Sequence, residues 1–392
     1  MAAAKSWKAK ILLVLIALVA SLLVAEIGLR IVGFSHPYFY DYDEHLGWVL
    51  RPGTSGWFTQ EGRAYIEISG AGLRDREHQR EKPANTFRVA VIGDSFAEAL
   101  QVPTAQTFWT LMESNLQACP QLAGRKVEVL NFGVSNYGTA QELIMLRQRV
   151  WDYSPDAVVL AITLSNDVRN NSRALERDEL RPYFVFRDNE LVEDASFRDS
   201  AAFRQKQTWR NRTAYSLINR SRILQLVNSI REARQIKSSA AAAQQAGGAE
   251  LGLDDEIYLE PKNAEWQEAW RVTEGLITLM NKEVTARGAK FLAVTISSSI
   301  QANPDPAARQ AYLKKLGAAD LFYPDRRIKS LGERENIPTL ILGPLFQRYA
   351  EEHHVPLHGF GQNVNYGHWN PEGHQLAGEL ISRRLCELLS GQ

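Results

Sequence analysis

The chain has 392 residues, of which 45% are hydrophobic and 23% charged, a composition typical of a globular protein with a sizeable core. Lysine plus arginine and aspartate plus glutamate balance at 45 each, so the basic excess of a nucleic-acid-binding protein is missing and no nucleic-acid partner is expected. Cys119 and Cys386 are too few for a disulfide-rich scaffold or a four-thiolate zinc site, and the sequence leaves open whether they pair.

The first predicted element is a membrane anchor at residues 1–34. Three lysines precede an apolar run over residues 11–25, which continues past Glu26 and Arg30 to Phe34 and so reaches the length of a membrane-spanning helix. Weak signal-peptidase patterns favour an uncleaved anchor over a cleaved signal peptide. Lysines at the N-terminal end predict that this end is cytoplasmic, which puts the rest of the chain outside the cytoplasm, in the periplasm if the source is Gram-negative.

Residues 35–86 form the second segment, an irregular or short-stranded lead-in. It is rich in aromatic residues, glycine and turn signals, as in Leu46-Gly47-Trp48 and Arg51-Pro52-Gly53. It has no long helical period, so we predict no long helix there.

The third segment, residues 87–392, alternates apolar strand-like runs with amphipathic helices. Unbroken Val/Ile/Leu runs separated by helices are typical of a parallel sheet that is buried on both faces. The predicted fold is therefore α/β, a doubly wound, mostly parallel sheet sandwiched by helices. The predicted strands are 87–92, 127–130, 157–162, 291–296 and 339–342, and the predicted helices are 106–117, 140–151 and 266–287.

A long insertion at about residues 170–262 interrupts this alternation, and insertions of this kind often form lids or substrate walls. It begins with a predicted hairpin over residues 183–192. Residues 204–237 are basic and predict one or two amphipathic helices, for which a solvated face is favoured over docking to a membrane surface. Residues 238–252 are rich in Ala, Gln and Gly and are predicted to form a mobile loop.

Polar residues follow three of the predicted strands and precede the last predicted helix. Because carboxyl ends of parallel strands meet at one edge of the sheet, where α/β proteins bind ligands, we expect these residues to lie together. The blocks are Gly93-Asp94-Ser95, Asn131-Phe132-Gly133-Val134-Ser135, Thr163-Leu164-Ser165-Asn166-Asp167 and Gly367-His368-Trp369-Asn370-Pro371-Glu372-Gly373-His374.

The last block also predicts a helix that begins directly after His368. Asn370 is a favourable N-cap and Pro371 suits the first helical position. His374 falls inside this helix and is interpreted as structural. His353, His354 and His358 do not predict a metal site, because a proline at position 356 breaks the helix that would align them.

With Ser95, Gly133, Asn166 and His368 in this order, the sequence resembles the SGNH (GDSL-type) hydrolase superfamily over about residues 87–389, the insertion excepted. The segment 69–75 is similar to the one before the first block in membrane-anchored bacterial members. The resemblance implies a three-layer, flavodoxin-like fold, a catalytic pair of Ser95 as nucleophile and His368 as base, and no cofactor. It also implies an oxyanion hole made of the backbone N–H groups of Ser95 and Gly133 and the side-chain amide of Asn166.

Two positions depart from the family pattern. An aspartate usually stands three residues before the catalytic histidine, and this chain has Asn365 there. An asparagine supplies no negative charge, which leaves three explanations open: a Ser–His dyad, a carboxylate from elsewhere, or slow catalysis. The third block usually has glycine two residues before its asparagine, and here that residue is Leu164.

The function expected from the sequence is that of an extracytoplasmic, membrane-anchored serine esterase or acylhydrolase that forms an acyl-serine intermediate. Its expected substrate is an acylated, for example acetylated, glycan or lipid. Two alternatives remain: a polysaccharide O-acyltransferase that uses the same Ser–His pair, and a catalytically weak or inactive binding or scaffold protein of the same fold. The sequence does not identify the acyl and alcohol parts of the substrate or the oligomeric state.

Overall fold

A computed structural model describes residues 2–245 and 255–391. The strands are β1 (Tyr40–Asp43), β2 (Gly47–Leu50), β3 (Ser55–Phe58), β4 (Ala64–Glu67), β5 (Thr86–Gly93), β6 (Lys126–Asn131), β7 (Ala157–Ile162), β8 (Tyr183–Arg187), β9 (Glu190–Asp194), β10 (Lys290–Thr295) and β11 (Thr339–Ile341). The helices are α1 (Ala2–Ile31), α2 (Ser95–Glu98), α3 (Phe108–Leu116), α4 (Thr139–Gln148), α5 (Leu164–Asn170), α6 (Arg173–Glu176), α7 (Ala201–Gln207), α8 (Trp209–Arg220), α9 (Arg222–Gln245), α10 (Ala264–Ala286), α11 (Pro306–Leu316), α12 (Tyr323–Glu335), α13 (Leu342–His353) and α14 (Pro371–Ser390).

The central sheet confirms the predicted doubly wound α/β fold. Within the described residues its strand order is β11-β10-β7-β5-β6, and all neighbouring strands are parallel. Each predicted apolar run coincides with one of these strands. The chain adds β6 on one side of β5 and then β7 on the other, so the carboxyl end of β5 is a topological switch point, the position where open α/β sheets bind ligands.

Two hydrophobic cores cover the two faces of the sheet. Along β7, Val158, Leu160 and Ile162 pack in one core with α4, α10 and α12, whereas Val159 and Ala161 pack in the other with α3, α13 and α14. This alternation follows from the two-residue period of a strand. Because both faces are apolar, every strand residue of β7 is buried.

The lead-in packs into the same core as the sheet. It forms two antiparallel hairpins, β1–β2 and β3–β4, and Leu46, Leu50 and Ile66 are almost completely buried in the core that contains α4 and α10. The short-stranded structure expected for residues 35–86 is thus an integral layer of the fold. It holds the β3–β4 turn in a fixed place.

The N-terminal helix α1 is long and apolar enough to cross a bilayer. Its span Trp7–Ile31 covers 25 residues with a mean hydropathy of 2.8, and none of it is buried against the rest of the protein. Its last turns are fastened to the insertion: Glu26 accepts hydrogen bonds from the backbone N–H groups of Arg222 (2.9 Å) and Ile223 (3.1 Å) and so caps α9. Arg30 donates to the carbonyl oxygen of Arg220 at 2.8 Å.

The insertion contains the predicted hairpin, as β8 and β9, followed by α7, α8 and α9. Residues 238–245 continue α9 rather than forming the expected loop, since alanine and glutamine are good helix formers. The rest of that predicted loop, residues 246–252, lies outside the described residues.

Cys119 and Cys386 form a disulfide, with their Cα atoms 5.9 Å apart. The bond links the segment after α3 to α14. Helices α3 and α14 also pack against each other on one face of the sheet. It closes a loop of 267 residues and therefore restricts the unfolded chain strongly.

Replacing both cysteines by serine should lower the free energy of unfolding by about 2–4 kcal/mol, because the unfolded chain regains the entropy that the disulfide removes. Urea unfolding of the full chain in detergent micelles, followed by circular dichroism, measures this difference. An unchanged urea midpoint in the double variant would contradict the expectation.

Candidate active site

Ser95 lies at the carboxyl end of β5, at the tight turn into α2. The buried Asp94 is the N-cap of that helix and accepts a hydrogen bond from the backbone N–H of Phe96 at 3.0 Å. Since Ser95 is the first residue of the helix, its backbone N–H has no intrahelical acceptor. Its side chain lies on the wall of a groove, half-buried.

His368 is in hydrogen-bond contact with this serine, with 2.8 Å between its Nε2 atom and Ser95 Oγ. The predicted helix start positions the ring: Asn370 caps α14 by accepting from the backbone N–H of Gly373 at 3.0 Å. The ring of Phe96 packs against the imidazole, with 4.8 Å between centroids. The structure thus brings together Ser95 and His368, the predicted nucleophile and base.

The carboxylate beside His368 comes from Glu61, in the turn between β3 and β4. Glu61 Oε2 lies 2.5 Å from His368 Nδ1, and Oε1 accepts from the backbone N–H of His368 at 2.7 Å. Burial alone would raise the pKa of Glu61, but the hydrogen bonds and charge of His368 outweigh it and hold this pKa below its ordinary value. An ionised Glu61 keeps a proton on Nδ1 and leaves Nε2 to accept from Ser95.

Asn365, at the position where the resemblance implies an aspartate, has a different contact. Asn365 lies in a turn with a φ of 63°, and its backbone N–H donates to the carbonyl oxygen of His358 at 3.0 Å. Glu61 can reach the histidine because Gly367 has no side chain: a Cβ there would overlap Glu61 Oε1. Of the three explanations that the sequence leaves open, a carboxylate from elsewhere is the one the structure contains.

Asn166 lies near the start of α5, on the wall of the same groove. Its Nδ2 atom donates to Asp94 Oδ2 at 3.3 Å, which leaves the second amide hydrogen for an oxygen in the groove. Leu164, the second departure from the family pattern, is buried in the core at the first position of α5. The leucine side chain therefore attaches the first turn of α5, which carries Asn166, to the hydrophobic core.

Asp94 joins the serine turn to the asparagine turn. It is completely buried, and its Oδ1 atom accepts from Thr163 Oγ1 at 2.9 Å as well as from Phe96. Burial raises the pKa of Asp94 above its ordinary value, although these hydrogen bonds and that from Asn166 oppose the shift. The two turns therefore hold their relative position through one buried carboxyl group.

Gly133, the third expected oxyanion donor, lies in the turn after β6. Its backbone N–H donates to Asn131 Oδ1 at 2.9 Å and so is directed at the end of β6. A Cβ at Gly133 would lie 2.5 Å from Ala97 Cβ, which shows that the glycine allows the turn after β6 to pack against α2. Of the three expected donors, Ser95 and Asn166 line the groove in this structure, and Gly133 contributes close packing beside them.

The groove has a volume of about 620 Å³. Ser95, His368 and Asn166 line it together with aromatic side chains from the lead-in. These aromatic residues are Tyr38, Phe39, Tyr40, Trp57 and Phe58. The arrangement can accept a carbonyl group beside Ser95 Oγ, with the rest of the molecule against an aromatic surface.

Two further histidines near the site are buried and structural. Burial lowers the pKa of His358 to about 4 and that of His374 to about 3, so both are neutral at pH 7. His374 Nδ1 accepts from the backbone N–H of Phe108 at 3.3 Å. Within the described ranges, no group of three or more His, Cys, Asp or Glu side chains is arranged to hold a metal ion.

No protein-family model and no curated protein matches the sequence. Among solved structures, TesA is 13% identical over 77% of this chain and 99% of its own, with a TM-score of 0.37. The lipase/acylhydrolase from Enterococcus faecalis is 13% identical over 77% of this chain and 96% of its own, with a TM-score of 0.38. A catalytic mutant of the acetylxylan esterase from Geobacillus stearothermophilus is 12% identical over 79% and 96%, with a TM-score of 0.36. Similarities of this size do not define the reaction of this chain.

The sequence does not point to Glu61, because this residue lies 307 residues before the histidine that it contacts. Its local context, a glutamate followed by glycine in a polar turn, is common in turns. The only indication in the sequence is indirect: an asparagine at position 365 leaves open that the carboxylate comes from another part of the chain.

Glu61→Gln should lower kcat for ester hydrolysis by about 10²- to 10⁴-fold, since the amide cannot stabilise the imidazolium that forms when Ser95 loses its proton. It should also move the acid limb of the kcat/KM profile to lower pH, because the histidine loses a negative neighbour. Asn365→Asp is the matched comparison and should leave kcat within about threefold of the parent. A large gain from Asn365→Asp, or full activity in Glu61→Gln, would overturn the assignment.

Asn166→Ala should lower kcat by about 10²- to 10³-fold with a smaller change in KM, because the amide is placed to bind the oxygen on which charge develops. Asn166→Asp, which keeps the size but removes the donor, should be at least as slow. A loss of kcat that is accompanied by a clear fall in the melting temperature would instead indicate that Asn166 acts by stabilising the turn.

Proposed function

We propose that this protein is a serine esterase or acylhydrolase of the SGNH type, which works through an acyl-serine intermediate. One observation carries the proposal: Ser95, His368 and Glu61 form a continuous hydrogen-bonded chain on the wall of an accessible groove. A serine joined in this way to an imidazole and a carboxylate has the arrangement that nucleophilic catalysis requires.

In the first half of the reaction Ser95 Oγ attacks the ester carbonyl while its proton passes to His368 Nε2. Glu61 stabilises the resulting imidazolium through its bond to Nδ1. The negative charge on the former carbonyl oxygen is stabilised by the backbone N–H of Ser95 and the amide of Asn166. His368 then protonates the departing alcohol, and the acyl group remains on Ser95.

In the second half a water molecule takes the place of the alcohol. His368 accepts a proton from the water as its oxygen attacks the acyl carbonyl, and returns a proton to Ser95 Oγ when the bond to the serine breaks. The carboxylic acid leaves and the site returns to its starting state.

The location that we propose is the outer side of a membrane, with α1 as a single-pass anchor. The lysines in the first turns of α1 favour a cytoplasmic N-terminus. The disulfide between Cys119 and Cys386 supports the same orientation, because such bonds persist in oxidising compartments. In a Gram-negative bacterium this compartment is the periplasm.

The substrate class that we propose is an acyl ester, such as an acetyl ester, of a glycan or a lipid. Trp57 and Tyr38 line the groove, and aromatic side chains of this kind can pack against a sugar ring or an acyl chain. The alternative of an inactive binding protein arose from the missing acid at position 365, and Glu61 removes that reason for it.

The test is hydrolysis of short- and long-chain p-nitrophenyl esters by the full chain in detergent micelles, together with labelling by a fluorophosphonate and peptide mapping of the label. We expect ester hydrolysis and a label on Ser95, because the neutral imidazole activates this hydroxyl. Ser95→Ala and His368→Ala should each lose at least about 10³-fold in kcat.

Ser114→Ala is the matched control, since this serine lies exposed on α3. A folded protein that hydrolyses none of these esters and takes no label would contradict the proposal. Acyl transfer to an added sugar in preference to water would assign the same site to a transferase.

A further inference from the structure

The groove at Ser95 adjoins a second cavity beside the end of the anchor helix. This outer cavity has a volume of about 910 Å³. It shares part of its lining with the groove, at His36, Trp57, Gln60 and Glu232. These shared residues border both cavities, and among them His36 Nε2 lies 2.7 Å from Glu232 Oε2. Side by side, the two cavities extend from the serine to residues 32–34, which directly follow α1.

The position of the bilayer relative to these cavities follows from α1. A helix whose apolar surface is unburied over Trp7–Ile31 is stable only with that surface in lipid, so residues 32–34 lie at the membrane surface. The outer cavity includes these residues in its lining and therefore opens at that surface.

The same reasoning places α8 and α9 at the membrane. Glu26 caps the start of α9, and Arg30 bonds the carbonyl oxygen of Arg220 at the end of α8. Residues within hydrogen-bond distance of the last turns of α1 are at the level of the lipid headgroups. The junction of the two helices is therefore held at the bilayer surface by the anchor itself.

The chemistry of these helices suits that position. They expose large apolar side chains: Trp209 (71%), Leu217 (52%), Leu224 (40%), Val227 (51%) and Ile230 (45%). Basic residues surround them and Glu232 is the only acidic residue from 204 to 234; the basic residues are Arg204, Lys206, Arg210, Arg212, Arg220, Arg222, Arg231 and Arg234. Exposed apolar and basic side chains on adjoining helices are typical of a segment that lies in the interface of an anionic membrane.

The sequence alone favours a solvated face for residues 204–237, because it does not show where the helices lie. Their attachment to α1 changes that interpretation. A basic, apolar surface beside a membrane-spanning helix has lipid next to it rather than bulk water.

We propose that α8 and α9 rest on the bilayer and that the outer cavity admits an acyl ester carried by a membrane lipid, whose ester group reaches Ser95 along the groove. This inference rests on the proposed esterase function and narrows its substrate to one that is held in the membrane. Arg63, which lines the outer cavity and lies over the ring of Trp57 at 4.7 Å, is placed to contact an anionic headgroup.

The first test measures the depth of α8 and α9 in the membrane. The native cysteines are joined to each other, so Trp209→Cys or Val227→Cys supplies a single free thiol for an environment-sensitive fluorophore in the full chain. In phosphatidylcholine vesicles containing phosphatidylglycerol, both labels should emit at shorter wavelength and be quenched by brominated lipid. Ala286→Cys is the control, since it is exposed at the opposite edge of the sheet from Ser95, before β10.

Quenching at positions 209 and 227 that does not exceed quenching at 286 would overturn the membrane contact. Quenching at 209 and 227 but not at 286 supports it. This readout involves no catalysis and is therefore independent of the proposed esterase function.

The second test compares two esters: p-nitrophenyl acetate in water and a fluorogenic acyl ester of phosphatidylglycerol embedded in the vesicles. The double variant Leu224→Glu/Val227→Glu places charges on the membrane side of α9, away from the groove lining. It should lose about tenfold or more of its activity on the embedded ester while its activity on the soluble ester is unchanged.

The outcomes separate the two proposals. Parent protein that hydrolyses the soluble ester but not the embedded one retains the esterase function and overturns the lipid substrate. Hydrolysis of neither ester, in protein whose labels are quenched as expected, contradicts the esterase function and with it the lipid substrate, but leaves the membrane contact established. Equal loss on both esters in the double variant would show that the charges disturb the fold and would overturn the membrane-specific role of α9.

Discussion

The contact between Glu61 and His368 is the constraint on which the rest of the site depends. Both carboxylate oxygens are used, one on the ring nitrogen and one on the backbone N–H of the same residue. Charge-assisted bonds of this kind are stronger than neutral ones and fix the orientation of both partners. With Nδ1 held by Glu61 of the lead-in, the imidazole presents Nε2 to Ser95.

The need to hold Glu61 against His368 accounts for the packing of the lead-in hairpins and for two glycines near the site. The lead-in hairpins pack into the main core, which makes the β3–β4 turn rigid enough to present a carboxylate. Gly62 next to Glu61 has a φ of 67°, and a Cβ there would overlap the carbonyl oxygen of Gln101. Gly367 likewise has no side chain, and this allows the carboxylate of Glu61 to approach His368. Both glycines serve the close packing of this one turn against the end of the sheet.

The parts of this structure that could be predicted from sequence are those that depend on neighbouring residues. The apolar run of β5, the serine turn after it and the capped start of α14 are local patterns, and they appear where the residues predict them. Glu61 could not be predicted, because its partner is 307 residues away and the contact depends on how a hairpin packs. The surroundings of α8 and α9 could not be predicted either, since composition shows that a helix is amphipathic but not which surface covers it.

The order of the site residues along the chain also determines when the site can exist. Glu61 and Ser95 are synthesised early, whereas His368 lies just before α14 and follows Glu61 by 307 residues. His368 follows Ser95 by 273 residues, so at a translation rate of about 5–20 residues per second Ser95 and Glu61 both exist for roughly 14–55 s before His368 is made. Throughout that interval the emerging chain contains a serine that cannot lose its proton to the imidazole. A reaction that needs all three side chains is therefore withheld until α14 docks on α3.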